Sequence, residues 1–326
     1  MIFDLHCDTV WKLNQAKGNN TPLSLKKSTL QIDEEKLSLG GYFAQCFAVY
    51  IPNVYPDPYE KCLSAIHLYQ TELEKSDRLA PVYRYEDFTK NHERGKISAV
   101  LTMEDGCPIG EDFKKLDRLY ALGVRMICLT HNRANAIGYP NYFHPLPNGK
   151  IDEYTPNATY GLTDFGKALV KKMNETGIVV DVSHLADKGF YEVIKQSEKP
   201  VIASHSNARN VCKNARNLSD DMLYRLADNG GIIGLNYEKR FLHDDIDKGK
   251  QTVARVLEHA RYLKRKIGVD FIALGSDFDG IENDIELDNA TKLPLLIQAF
   301  SQAGFTDEEI EKISYKNALR VFKICL

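Results

Sequence analysis

Short apolar segments alternate with helical segments along almost all of the 326-residue chain, and this alternation limits the folds open to it. Eight segments are rich in β-branched and other apolar residues and are predicted to be strands: MIFDL, GYFAQCFAVYI, ISAVLTM, RMICLT, IVVDVS, PVIASH, GIIGLN and FIALGS. Their hydrophobicity is continuous rather than alternating, which is typical of parallel strands covered on both faces.

The segments between these strands carry helix start and stop signals. LTDFGKALVKKMNETG has a candidate N-cap at Thr163 and a glycine, Gly177, just after its predicted end. Eight strands alternating with helices predict an α/β fold of the (β/α)8 TIM-barrel type. A doubly wound open sheet is the alternative, but no GxGxxG motif follows any predicted strand. We expect residues 1–326 to form one barrel domain with C-terminal helices.

Charge and cysteine usage exclude several classes of protein. The chain has 42 basic and 45 acidic residues and no basic cluster, which argues against nucleic-acid binding. Its seven cysteines are odd in number and form no CxxC motif, so they indicate free thiols in a reducing compartment. Neither a signal-peptide pattern nor an 18-residue apolar run occurs, and we expect a cytoplasmic protein without membrane contact.

Side chains that can bind metal ions follow most of the predicted strands. They lie at the C-terminal ends of the strands, where barrel enzymes have their active sites. His6 and Asp8 follow the first strand and, two residues apart on an extended segment, point the same way. The third, fourth, fifth, sixth and eighth strands end at Glu104, His131, His184, His205 and Asp277. A single histidine at a strand end is more often an ordinary core residue. Several histidines and carboxylates at the same ends of the strands, however, predict a functional site. The other histidines, at positions 67, 92, 144, 243 and 259, are interpreted as surface or structural.

Imidazoles and carboxylates without thiolates are typical of a catalytic zinc site that keeps a coordination position open for water. The set is large enough for two Zn²⁺ per chain, although manganese or cobalt would accept the same ligands. His6 and Asp8 are candidates for one ion, and His184 and His205 for the other. Glu104, with two oxygens, is the natural bridge. Two such ions could hold a hydroxide and polarise a carbonyl.

At this point the chain resembles a known family, the membrane dipeptidases (renal dipeptidase-like, peptidase family M19) of the amidohydrolase superfamily. The resemblance runs nearly end to end and rests on these motifs: DLHCDT, MEDG, LTHNRAN, GLTDFGKALVKKMNETGIVVDVSHL, VIASHSNAR, ARNLSDD and GSDFDG. It implies a TIM barrel of the metal-dependent hydrolase type and a zinc-dependent dipeptidase with the ligand set already named. His131 would contact the scissile region and stabilise the oxyanion, Arg216 would bind the free carboxylate, and Asp277 would transfer the proton. Asp279 is interpreted as a turn or capping residue.

The implied reaction is hydrolysis of free dipeptides, including L-Xaa-D-Xaa, by attack of a bridging metal-bound hydroxide. One alternative is another binuclear amidohydrolase, such as an N-acyl-amino-acid deacylase or a lactone hydrolase. A second is a non-catalytic peptide-binding descendant, which the intact set of residues disfavours. Loops rich in tyrosine and proline, at 50–59 and 136–150, either wall a small pocket or pack as ordinary loops.

The expected partner is a small dipeptide, and a homodimer is compatible with the resemblance. Two departures from the family are visible. The signal peptide and lipid anchor of its extracellular members have no counterpart here, so membrane attachment is not carried over. Tyr315 and Lys316 replace the glycines of a Gly-Gly-Asn segment, whereas Asn317 is kept, which leaves local backbone packing open.

Overall fold

The computed structural model describes residues 1–19 and 23–326, which are arranged around a closed barrel of parallel strands. The strands in this described part are β1 Ile2–Asp4, β2 Tyr42–Tyr50, β3 Leu79–Pro81, β4 Ile97–Glu104, β5 Val124–Cys128, β6 Val179–Asp181, β7 Ile202–Ser206, β8 Ile232–Leu235 and β9 Ile272–Leu274. The barrel order is β1-β2-β4-β5-β6-β7-β8-β9, and pairing of β9 with β1 closes it. All eight predicted strands are confirmed, and the closed ring confirms the (β/α)8 barrel over the open sheet.

Strand β3 was not predicted from the sequence. It pairs in parallel with the start of β4, on the edge that β5 occupies further along that strand. It has three residues and ends in Pro81, so it carries neither the length nor the pattern that identifies a strand in a sequence.

Helices surround the barrel on its outer face. They are α1 Thr9–Gly18, α2 Glu34–Leu39, α3 Pro58–Glu74, α4 Glu86–Glu93, α5 Phe113–Ala121, α6 Asp164–Thr176, α7 Asp187–Gln196, α8 Asp220–Asp228, α9 Lys239–Leu242, α10 Ile246–Gly249, α11 Thr252–Ile267, α12 Leu293–Gln302, α13 Asp307–Glu311 and α14 Asn317–Cys325. The predicted caps of α6 are confirmed: the Thr163 side chain accepts a hydrogen bond from the Gly166 amide, and Gly177 adopts a left-handed φ of 85°.

The barrel interior is a packed core rather than a channel. Every barrel strand contributes to one buried cluster, which includes Phe3, Cys46, Val100, Met126, Val179, Ile202, Ile232 and Ala273. Val321 and Phe322 of α14 join this cluster, so the C-terminal helix packs on the barrel. The opposite rim, where the strands end, carries the polar residues described below.

The departure at Tyr315 and Lys316 lies in a π-helical turn, Lys312–Lys316, directly before α14. Tyr315 is buried against Phe43, with ring centroids 6.2 Å apart. The amide of Asn317 donates 2.8 Å hydrogen bonds to the carbonyls of Val269 and Ile272. The segment is therefore well packed, and Asn317 ties it to the start of β9.

All seven cysteines are buried free thiols, as predicted. In the part of the chain that the structure describes, no helix combines the length and the apolar character needed to cross a bilayer.

His259 on α11 is a structural residue, as interpreted from the sequence. Its ring is fully buried, and its Nδ1 accepts a hydrogen bond from the Ala208 amide while Nε2 lies 3.1 Å from the Leu242 carbonyl. Because the first contact needs a lone pair and the second a proton, the ring must be neutral. Burial lowers the pKa of His259 to about 4.

Replacing His259 with Asn should therefore change how stability depends on pH. The folded chain resists protonation of this ring and the unfolded chain does not, so the contribution of His259 is complete above about pH 6.5 and is lost towards pH 4. We expect urea unfolding to show a difference between wild type and variant of roughly 2–3 kcal/mol at pH 7.5 that shrinks by pH 4.5. His67→Asn, on an exposed face of α3, is the control, and a difference that stays constant with pH would contradict the assignment.

Candidate active site

The structure brings together, at one rim of the barrel, all eight residues that the sequence singled out. They are His6, Asp8, Glu104, His131, His184, His205, Arg216 and Asp277. All except His6 and His205 line one cavity, and these two contact Asp8 and Glu104, which do line it. His205 lies within β7, Glu104 ends β4, and the others follow their strands. The rule that parallel strands direct their chemistry to their C-terminal rim therefore holds for the whole set.

Several residues at this rim have a left-handed backbone conformation, which sets the direction of their side chains. Asp105, His184 and Asp277 have φ values of 67°, 66° and 64°, which are unusual for residues other than glycine. The backbone is held in place on both sides: the Asp277 amide donates to the His6 carbonyl at 3.2 Å, and the His184 carbonyl accepts from Asn141 at 2.8 Å. Strained residues that are held in this way concentrate at functional sites.

Glu104 lies at the centre of the cluster, with its two oxygens facing different groups. Oε1 is 3.0 Å from Nε2 of His184 and 3.6 Å from Nε2 of His205. Oε2 is 3.8 Å from Nε2 of His6. The carboxylate thus lies between two sets of side chains. This is the position expected for a carboxylate that bridges two metal ions.

The hydrogen bonds of His184 fix which ring nitrogen carries its proton. Nδ1 lies 2.9 Å from Oδ1 of Asn132, a carbonyl oxygen that can only accept, so Nδ1 is the donor. Burial lowers the pKa of His184 and so favours the neutral ring, in which Nε2 is a bare lone pair directed at Glu104 and at His205.

His205 is oriented by a chain of buried polar groups. Its Nδ1 is 2.7 Å from the Ser204 hydroxyl, which in turn contacts Asp181. Since the hydroxyl proton is held by the Asp181 carboxylate, Ser204 accepts from Nδ1. Burial lowers the pKa of His205 and so favours the neutral ring, in which Nε2 carries no proton. The two unprotonated nitrogens of His184 and His205 lie 2.9 Å apart.

The second half of the cluster is formed by His6, Asp8 and Asp277. Nε2 of His6 is 3.5 Å from Oδ2 of Asp8 and 3.9 Å from Oδ1 of Asp277. Neither this nitrogen nor Oδ1 of Asp8 has a hydrogen-bond partner among the described residues, although both are buried. Buried polar atoms without a partner are rare in folded proteins, and a bound ion would supply the missing partner here.

Charge in this half is poorly balanced by protein groups. Burial and the neighbouring carboxylates raise the pKa of Glu104, and burial raises that of Asp277 to about 7. Burial lowers the pKa of His6, but the carboxylates around it outweigh this effect and raise it to about 10. Converging carboxylates and lone pairs are a donor set suited to divalent cations, so the residues fit a metal centre.

His131 and Arg216 flank this cluster. Burial lowers the pKa of His131 to about 3, so its ring is neutral, and its Nε2 is 3.9 Å from Oε1 of Glu104. Arg216 is 3% exposed, and its Nε and Nη2 have no partner among the described residues. Its guanidinium lies 5.3 Å from the ring centre of Phe241. A buried guanidinium without a carboxylate partner is costly unless a ligand supplies one.

A cavity of about 530 Å³ opens over the cluster, within the usual size range of small-molecule sites. Tyr50, Pro52 and Tyr142 of the two tyrosine- and proline-rich loops line it, so these loops do wall the pocket. Asp279 does not line it: its carboxylate accepts from Thr9 and Gln31, which confirms a structural role.

Sequence reasoning missed several residues of this site. The second and seventh predicted strands showed no obvious metal-binding or acid–base residue at this rim, yet Tyr50 ends β2 and Glu238 follows β8 at the cavity wall. Glu153, Arg240 and Phe241 line the cavity as well. The position of Glu238 shortly after a predicted strand was an available signal, whereas Glu153 lies in a long loop with no such mark.

Comparisons with known proteins agree with this geometry. The model of the family described as membrane dipeptidase (peptidase family M19) matches residues 1–325. A dipeptidase, tcpJ, from Claviceps purpurea is 31% identical over 251 residues, which cover 76% of this chain but only 56% of that relative. The chain thus accounts for little more than half of the length of that protein. A Klebsiella pneumoniae protein described as uncharacterized, in the pqqA 5′ region, is 33% identical over 73% of this chain and 85% of its own length.

A solved structure that covers the whole chain has a closely similar fold. It is a metallo peptidase from Rhodobacter sphaeroides, liganded with a phosphinate mimic of the dipeptide L-Ala-D-Ala. The two folds superpose with a TM-score of 0.88 at 26% identity, over 100% of this chain and 99% of the other. A family match over residues 1–325, together with this fold, means that the chain belongs to the membrane dipeptidase family, peptidase family M19.

Proposed function

We propose that this chain is a metal-dependent dipeptidase that hydrolyses free dipeptides. The observation that carries the proposal is Arg216, a buried guanidinium with unpaired nitrogens that opens onto the same cavity as the ligand cluster. Arginine presents a planar fork that suits a carboxylate. A substrate that binds by a free carboxylate beside a peptide-cleaving centre is a short peptide.

Two divalent cations, in the first place zinc, would be held at the rim. His6 and Asp8 would bind one, His184 and His205 the other, and Glu104 both, because its oxygens face the two sets separately. Such ions lower the pKa of water and polarise a carbonyl, which makes peptide hydrolysis accessible at neutral pH.

Two residues next to these ligands would act on the substrate. The neutral ring of His131 can donate a hydrogen bond to the oxyanion that develops from the scissile carbonyl. Asn236 holds Oδ2 of Asp277 at 3.0 Å, which leaves Oδ1 free towards the centre. Asp277 would take the proton of the attacking water and deliver it to the leaving amine.

One comparison supports a proposal about the stereochemistry of the substrate. The Rhodobacter sphaeroides structure was liganded with a mimic of L-Ala-D-Ala, and we propose that this chain also accepts L-Xaa-D-Xaa dipeptides. A deacylase or lactone hydrolase on the same fold remains the alternative. Arg216 favours the dipeptidase because a lactone offers no carboxylate for it.

We also infer that residues 1–326 act as one domain. Val321 and Phe322 of the last helix pack into the same interior cluster as all eight barrel strands. Separating the C-terminal helices would expose that core to water.

The substrate class can be tested with zinc-loaded protein. L-Leu-D-Ala and L-Leu-L-Ala should be cleaved, whereas the N-acetylated and C-amidated forms should not, because both free termini are recognised. In Arg216→Lys, kcat/KM for the free dipeptide should fall about 10- to 100-fold, since a point charge replaces the fork. A better rate on the N-acetylated compound would overturn the dipeptidase assignment in favour of the deacylase.

Asp277→Asn separates proton transfer from metal binding. We expect turnover to fall about 10²- to 10⁴-fold with metal content near that of the wild type, because the amide keeps the shape of the side chain but accepts no proton. Metal content is read by elemental analysis of the purified protein. Loss of metal would show that Asp277 is a ligand, as its proximity to His6 and Asp8 allows.

Ser204→Ala tests the chain of polar groups behind His205. Without the hydroxyl, the Nδ1 proton of His205 loses its acceptor, and metal affinity should drop about 10- to 100-fold in competition with a chelator. Ser206→Ala is the matched control, since it removes a buried hydroxyl from the same strand that has no partner among the described residues. Equal affinities in the two variants would mean that Ser204 does not position the ligand.

A further inference from the structure

One wall of the cavity carries a group of three charged residues that the proposed reaction does not use. The guanidinium of Arg240 lies 2.6 Å from Oε1 of Glu238 and 3.0 Å from Oε1 of Glu153. All three residues line the cavity. We name Glu153, Arg240 and Glu238 the acidic wall.

The acidic wall lies beside Arg216. The carbonyl of Glu153 accepts a 2.8 Å hydrogen bond from the amide of Ala215, the neighbour of Arg216 in sequence. Phe241, which follows Arg240, packs on the Arg216 guanidinium. Because Arg216 would bind the α-carboxylate of the C-terminal residue, the side chain of that same residue is the part of a substrate that reaches the acidic wall.

The wall has an excess of negative charge. Two carboxylates share one guanidinium, so the formal charge of the group is −1. Both contacts of Glu238 with Arg240 use Oε1, and Oε2 accepts no hydrogen bond from the described residues. The Glu238 side chain is only 6% exposed. Little water therefore surrounds its carboxylate, and the negative charge there is poorly screened.

The other half of the wall is more open. The Glu153 side chain is 31% exposed and uses one oxygen for Arg240. The second oxygen of each glutamate is therefore not used by Arg240, and both residues line the cavity. An anionic side chain at the same place would meet two carboxylates.

We propose that the acidic wall is a subsite for a cationic side chain on the C-terminal residue of the substrate, so that the dipeptides preferred by this chain end in a basic amino acid. The inference rests on the proposed dipeptidase function and adds a substrate class to it. The ammonium of a lysine or the guanidinium of an arginine would lie between Glu153 and Glu238.

The preference is measured as kcat/KM for a matched series of dipeptides, L-Ala-Xaa, in whichever configuration of Xaa the alanine dipeptides show to be cleaved faster. Lysine is compared with norleucine, which has a similar apolar stem without the charge, and glutamate with glutamine. An ion pair at a partly exposed site is worth up to about 1 kcal/mol per contact. We therefore expect lysine to exceed norleucine about five- to tenfold, and glutamate to fall below glutamine.

Variants identify the groups responsible. Glu153→Gln should bring the ratio of lysine to norleucine close to one, and Glu238→Gln should act in the same direction. Arg240→Gln should increase the ratio, because it removes the cation that competes for both carboxylates. Glu258→Gln is the matched control: Glu258 also pairs with an arginine, Arg255 at 2.7 Å, but it lies on α11 away from the cavity and should leave the ratio unchanged.

The outcomes distinguish this inference from the function on which it rests. If no dipeptide is cleaved, the dipeptidase proposal fails. If neutral dipeptides are cleaved but lysine shows no advantage, only the subsite is wrong. A preference for glutamate that disappears in Arg240→Gln would overturn it in favour of an anion subsite at Arg240. Binding of a phosphinate dipeptide analogue with a C-terminal lysine side chain, measured by calorimetry, shows the same ratio without turnover.

Discussion

The Glu104 carboxylate, held between two groups of side chains, is the interaction on which the site depends. A buried carboxylate is unfavourable unless positive charge or hydrogen-bond donors surround it. Around Glu104 the nearest groups are lone pairs of His184 and His205 on one side, and His6 with further carboxylates on the other. These carboxylates and lone pairs repel one another unless cations or protons are bound between them. The arrangement that makes the site costly to bury is therefore the same one that suits it to bind metal ions.

The barrel supplies the precision that such a centre needs. The proposed ligands come from four strands: His6 and Asp8 follow β1, whereas Glu104 ends β4, His184 follows β6 and His205 lies in β7. No single loop therefore controls the distances between them. Buried polar groups then orient the rings: Asn132 fixes the proton of His184, and Ser204 with Asp181 fixes that of His205. Left-handed residues at His184 and Asp277 turn the chain at the rim, where the hydrogen bonds between neighbouring loops hold it.

The cavity above the centre divides into parts with different tasks. Near Glu104 the side chains are suited to bond cleavage, and at Arg216 to binding a carboxylate. The acidic wall, by contrast, has no role in either step. We propose that it selects among substrates by the charge of one side chain. Bond cleavage then depends on residues at the rim of the barrel, and substrate selection on residues in the loops after β5 and β8.

The sequence by itself determined the barrel and the residues of its rim, because both depend on local signals. Continuous apolar runs mark buried parallel strands, and His6, Glu104 and His205 are found simply at the ends of those runs. Strand β3 was missed because three residues carry no pattern. The tertiary structure alone decided which oxygen of Glu104 faces which histidine, that Asp181 contacts the Ser204 hydroxyl, and that Arg240 pairs with Glu153. These contacts join residues far apart in the chain, and their distances depend on how strands and loops pack in space rather than on any local preference.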